Sequence, residues 1–169
     1  MPTALQAKPA EASAEPTPSV VTVEEMQRLV AAASLVTIVL KSSECQAFVY
    51  PTLVDPAKCS VDTNISSRFE KTQDEKGIFS FLDFTLTSVS SESAEGKTPQ
   101  LLFQVKATFV AVYGLPVTEF SKEAMESFVN TNAVFHAFPY FREFAQSMTS
   151  RLGVPPITLP LYRISPPKT

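Results

Sequence analysis

The chain has 169 residues, a formal charge of −3 and 18% charged residues, enough for one compact domain but without the clustered basic surface that nucleic acid requires. Its longest near-apolar run, residues 29–40, is shorter than the ~20 residues needed to cross a bilayer, and Lys8 followed by Pro9 and acidic residues does not build a signal peptide, so a cytoplasmic protein with no membrane insertion is expected. Fourteen prolines and 13 phenylalanines stand against four scattered glycines, two cysteines and one histidine, which excludes a phosphate-cradling glycine loop and argues against a zinc site.

Residues 1–20 are Ala, Pro, Ser, Thr and Glu with almost nothing large, and read as a disordered tail. Thr22 opens a short helix with Glu25 as the reciprocal half of a capping box, and Met26, Leu29, Val30 and Ala33 form its apolar stripe. From Leu35 the apolar period changes and β-branched residues lead into a strand toward Val49. Pro51 and Pro56 mark a loop. Val61, Ile65 and Phe69 alternate with polar residues as a half-exposed strand. A third strand covers Ile78–Val89, with a phase shift at Phe81-Leu82 that predicts a bulge. After a polar loop over Ser90–Pro99, Phe103, Val105, Ala107, Phe109, Ala111 and Tyr113 share one face of the cleanest strand. Ser121 caps a helix carrying Ala124, Met125 and Phe128. A second, longer helix is expected to start at Pro139 and to end at Gly153. The expected class is α+β: a four-stranded antiparallel sheet with C-terminal helices packed on one face and a short N-terminal helix. Three prolines then keep Val154–Tyr162 extended.

No constellation reaches the standard of an active site. His136 has no Asp, Cys or Ser pattern around it and reads as a packed or capping residue. Arg142 and Glu143 read as a solvated or interface face, and Cys45 and Cys59 as reduced core thiols. The chain is therefore expected not to be an enzyme and to need no cofactor. The unusual feature is aromatic density. Phe135, Phe138, Tyr140, Phe141 and Phe144 fall within ten residues, more than one helix face can bury on a sheet, so part of that surface must meet a second subunit or a ligand.

Phe138-Pro139-Tyr140, Arg142-Glu143, Ser147-Met148, Ser150-Arg151 and the prolines Pro155 and Pro156 leading into Ile157-Thr158-Leu159 resemble the signature of the SecB family of protein-export chaperones. The resemblance is tight at this segment and holds in outline over residues 35–162. It implies a SecB-like domain over residues 21–165, with a short disordered end at 166–169. It also implies a dimer of dimers with the long helices sandwiched between sheets, and ATP-independent holding of unfolded or nascent polypeptides for export. Phe138, Phe141, Val154, Pro156, Ile157, Leu159 and Leu161 take the client-binding role by this resemblance, and Phe144 and Met148 the oligomer interface. Gln104 stands where the family carries an acidic side chain for the export motor SecA, and the family's acidic C-terminal tail is missing, which argues against motor docking. The chain looks closer to divergent SecB-like proteins, some of which serve toxin–antitoxin systems. A dedicated chaperone of one antitoxin or secretion subunit is therefore the alternative, and a small-ligand carrier a third reading.

Overall fold

The computed structural model describes residues 21–50, 58–90, 99–116 and 120–163. The tail over 1–20, the loop at Pro51 and Pro56, most of the polar loop before Pro99 and the end at 166–169 lie outside the described residues. The elements run α1 (Val23–Ala32), β1 (Ser34–Ala47), β2 (Cys59–Lys71), β3 (Gly77–Ser90), β4 (Leu101–Gly114), α2 (Lys122–Phe128), a π turn (Val129–Ala133) and α3 (Val134–Arg151). The four strands form one antiparallel sheet in the order β1-β4-β3-β2. β3 and β4 are the central pair, β1 and β2 the two edges, and the helices cover one face.

The inner face of β4 is the alternation expected of it: Phe103, Val105, Ala107, Phe109, Ala111 and Tyr113 are all buried. On β3, Ile78, Leu82, Phe84 and Leu86 point the same way. The phase shift at Phe81 is not a bulge, because β3 keeps unbroken register with β2 and with β4 through Phe81 and Leu82. β3 is buried on its helix side, and on its open side Phe81 is the buried exception among Phe79, Asp83, Thr85 and Thr87. Leu82 faces the helices, and Phe81 lies on the open face with only 8% exposure. Its ring is clamped by Lys41 at 4.5 Å and Arg68 at 4.4 Å, cations whose aliphatic stems shield it. The irregularities fall elsewhere, at Val36 and Lys41 on β1 and between Ser88 and Val89 on β3.

The predicted break before Pro139 is also absent. Helix continues from Lys122 through the π turn to Arg151, with Pro139 inside α3. Proline removes one backbone donor and crowds the carbonyl four residues earlier. Here Phe138 and Phe141 pack against Phe84, at 6.2 Å and 4.6 Å between ring centroids, and that burial outweighs the lost hydrogen bond. Pro139 itself faces outward. Upstream, Thr22 accepts the amide of Glu25 as predicted. The Glu25 carboxylate instead reaches a different helix, accepting the Ser121 amide at 2.8 Å. That bond lowers the Glu25 pKa from its ordinary value and ties α1 to the start of α2.

Candidate functional site

Gly153 takes a positive φ of 76° and reverses the chain at the end of α3. The segment that follows cannot re-enter a helix, since Pro155, Pro156 and Pro160 interrupt it. It runs back along α3 as an extended strap, held by side chains that address its backbone. Thr149, fully buried in the last turns of α3, donates its hydroxyl to the Ala145 carbonyl at 2.8 Å and accepts the Ile157 amide at 3.1 Å. Arg142 Nε donates to the Leu159 carbonyl at 2.7 Å. Val154, ahead of these bonds, and Leu159 sink into the core, and the Tyr162 ring lies 5.3 Å from that of Phe138.

Between strap and helix lies a groove of about 360 Å³. Phe135, Phe138, Pro139 and Gln146 form the helix side and Leu161 and Tyr162 the strap side, with Arg142 and Glu143 as polar groups along it. Leu161 is 71% exposed and Phe135 49%, so the walls are apolar surface available to a ligand. The opposite flank of α3 is apolar without a strap. Tyr140 and Phe144 sit beside Phe109 of β4, at 6.5 Å and 6.3 Å. Beyond them no described element covers the inner face of β1, where Leu35 and Leu40 are exposed.

The residues singled out from the sequence divide accordingly. Phe138 and Leu161 line the groove. Phe141, Val154 and Leu159 are core residues, as Phe138 also is, but they lie outside the groove lining, because Phe141 is already stacked on Phe84 and the other two anchor the strap. Pro156 is exposed and Ile157 half-buried on the strap, outside the groove lining. Phe144 and Met148 are half-buried against the core. Reasoning from sequence missed Phe135, Pro139, Gln146 and Tyr162 as groove walls, and missed Arg142 and Thr149 as clamps. Arg142 acts on a residue 17 positions away, a contact that no local spacing announces.

Nothing else in the described residues gathers into a reactive centre. His136 accepts or donates through Nδ1 to the Tyr113 hydroxyl at 2.8 Å, and burial pushes the Tyr113 phenol well above its ordinary pKa. Cys45 and Cys59 form no disulfide and are half-buried, with burial raising the Cys45 thiol, the wrong direction for a nucleophile. Among the described residues no group of three His, Cys, Asp or Glu side chains could hold a metal ion, and no helix is long and apolar enough to cross a membrane.

No protein-family model matches the chain, and no curated protein matches it. Among solved structures, the chain is similar to a SecB-like chaperone from Mycobacterium tuberculosis in complex with a ChAD peptide from the HigA1 antitoxin. The TM-score is 0.69 at 20% identity, over 82% of this chain and 97% of that one. A protein of unknown function from Streptococcus agalactiae aligns over 76% of this chain and 96% of its own at 11% identity, with a TM-score of 0.36 that bears no weight. The likeness to the first is one of fold: the chain has the SecB-like architecture that its C-terminal signature predicts.

Proposed function

We propose that this protein is a chaperone that holds extended apolar segments of unfolded or nascent polypeptides, without catalysis and without ATP. The observation that carries the reading is the strap. α3 already holds one extended apolar chain by addressing its backbone through Arg142 and Thr149, and a second apolar trough lies open beside it. Such a surface reads apolar area and backbone instead of a particular sequence. It gains ~25 cal/mol per Å² of apolar area removed from water, less the entropy of ordering the client. Broad client choice follows, and a client that folds quickly is released. The SecB-like fold supports this reading, and handing clients to an export route is one use of it.

Self-association belongs to the same proposal. The uncovered β1 flank, with Phe144 and Met148 along the helix and Leu35 and Leu40 on the strand, is the surface expected to meet further copies in a dimer of dimers. Light scattering would then give four times the 18.5 kDa of one chain.

The test uses a chemically denatured reporter diluted into buffer with the purified protein and no nucleotide. Suppression of its aggregation at less than one tetramer per reporter is expected; no suppression at any ratio argues against the holdase. A second reading, a chaperone dedicated to one antitoxin, is favoured by the antitoxin peptide bound to the structural neighbour. It predicts tight binding of one antitoxin segment together with failure on unrelated reporters.

A further inference from the structure

The trough beside the strap has a continuation. On the same side of the long helix a second depression, of about 590 Å³, opens between α2 and the free edge of β2. From the helix, Glu126 and Asn130 line this depression and Phe135, Pro139, Arg142 and Gln146 line the first. These positions recur at steps of four, five, four, three and four. A step of five would leave the flank of a regular α-helix, but this one spans the π turn, which winds an extra residue into the turn. The π turn therefore keeps both depressions on one side. Asn130, within it, accepts a hydrogen bond from Ser67 of β2, which pins the turn against the strand.

The two ends differ in chemistry. The strap end is walled by rings and Leu161. The β2 end has an apolar floor of Phe69, Phe120 and Met125 beneath a rim of Lys71 and Lys122, while Arg68 at its border turns its guanidinium away over Phe81. Among the described residues that line it, the one carboxylate is that of Glu126, 3.6 Å from Lys122. Arg68 is shared with Asp83 at 2.9 Å on the open face of the sheet, and Lys71 makes no ion pair among the described residues. From Lys122 to Gln146 the helix rises ~36 Å, about the reach of eleven extended residues.

Resting on the chaperone reading above, we infer that the occupant is bipartite: an extended segment whose apolar residues fill the strap-side groove and whose acidic residues reach the cation rim between β2 and α2. The net charge of −3 sharpens the point. Long-range attraction from the whole chain favours a basic ligand, so a preference for acidic residues isolates this local rim.

The experiment compares fluorescein-labelled peptides by anisotropy. All share one unstructured apolar core, extended at either end by a short run of aspartates, lysines or serines. On the wild-type protein, aspartates at one end tighten binding about fivefold over serines, as a few exposed charge pairs can, and the gain fades as salt is raised. The double variant Lys71→Glu/Lys122→Glu loses that gain while binding the serine peptide as before. Equal affinity for aspartate and serine peptides, or an aspartate gain that survives in the double variant, overturns the inference and leaves the chaperone reading standing. Failure of every peptide to bind the wild-type protein overturns both. Circular dichroism of the double variant, unchanged because both lysines are exposed, secures the comparison.

Discussion

Along its last helix the molecule has two apolar flanks, and it treats them differently. On the side of Phe138 the chain folds its own C-terminal strap over the helix, clamps it by backbone-directed bonds from Arg142 and Thr149, and leaves a walled trough. On the side of Phe144 no strap is found among the described residues, and Tyr140 stands 51% exposed beside Phe109. The difference teaches what each surface suits. An apolar trough with Arg142, Glu143 and Gln146 along it fits a foreign extended chain. A broad face of packed side chains without such groups fits a second rigid copy, where side chains meet side chains.

The comparison depends on a rigid divider between the flanks, and the largest effect is expected from weakening it. Phe141 is fully buried and stacks on Phe84, so Phe141→Ala should cost about 3–5 kcal/mol in denaturant unfolding. A cost under about 1 kcal/mol would mean that the ring is not part of the divider.

Charges placed on the two sides should then separate them. Leu161→Asp is expected to weaken binding of an unstructured apolar peptide on the order of tenfold, with stability changed by no more than about 0.5 kcal/mol and the light-scattering mass unchanged. Phe144→Asp is expected to reduce that mass and spare peptide affinity. The reverse assignment, mass lost with Leu161 or affinity lost with Phe144, would break the comparison.

The smallest effect concerns α1, which braces the start of the long helix through Glu25. Its carboxyl is held below its ordinary pKa by the Ser121 amide. A group depressed in the folded state contributes stability that is present above its unfolded value and is lost as pH falls through its folded value. The melting temperature of Glu25→Gln should therefore lie below that of the wild-type protein at neutral pH, and the gap should close as pH is lowered through the carboxylate range. A gap independent of pH would assign the contribution to packing.

The sheet was legible where one face alone is buried. The alternation of β4 from Phe103 to Tyr113 marks its core side without ambiguity. It failed at Phe81, because one large ring buried on the open face, under Lys41 and Arg68, imitates the phase slip of a bulge. Local rules also failed at Pro139, where proline reads as a helix start and the packing of Phe138 and Phe141 on Phe84 overrides it. The C-terminal signature pointed to the helix and strap that border the groove, yet it could not sort Leu159 from Leu161. Both are leucines on a proline-broken strap, and only the long-range bond from Arg142 to the Leu159 carbonyl decides which one is drawn inward. Thr149 was missed for the same reason, since nothing in a linear pattern marks a helix hydroxyl as the acceptor for an amide eight residues on.

The central claim is that foreign apolar chain enters beside the strap. Titrating an unstructured apolar peptide into protein carrying isotope-labelled aromatic and leucine side chains tests this most directly. The account predicts saturable NMR shifts at Phe135, Phe138, Leu161 and Tyr162, with Leu35 and Leu40 of β1 unmoved. Shifts confined to the β1 flank or to Phe79 and Phe81 on the open face of the sheet, or no shifts at saturating peptide, would contradict it.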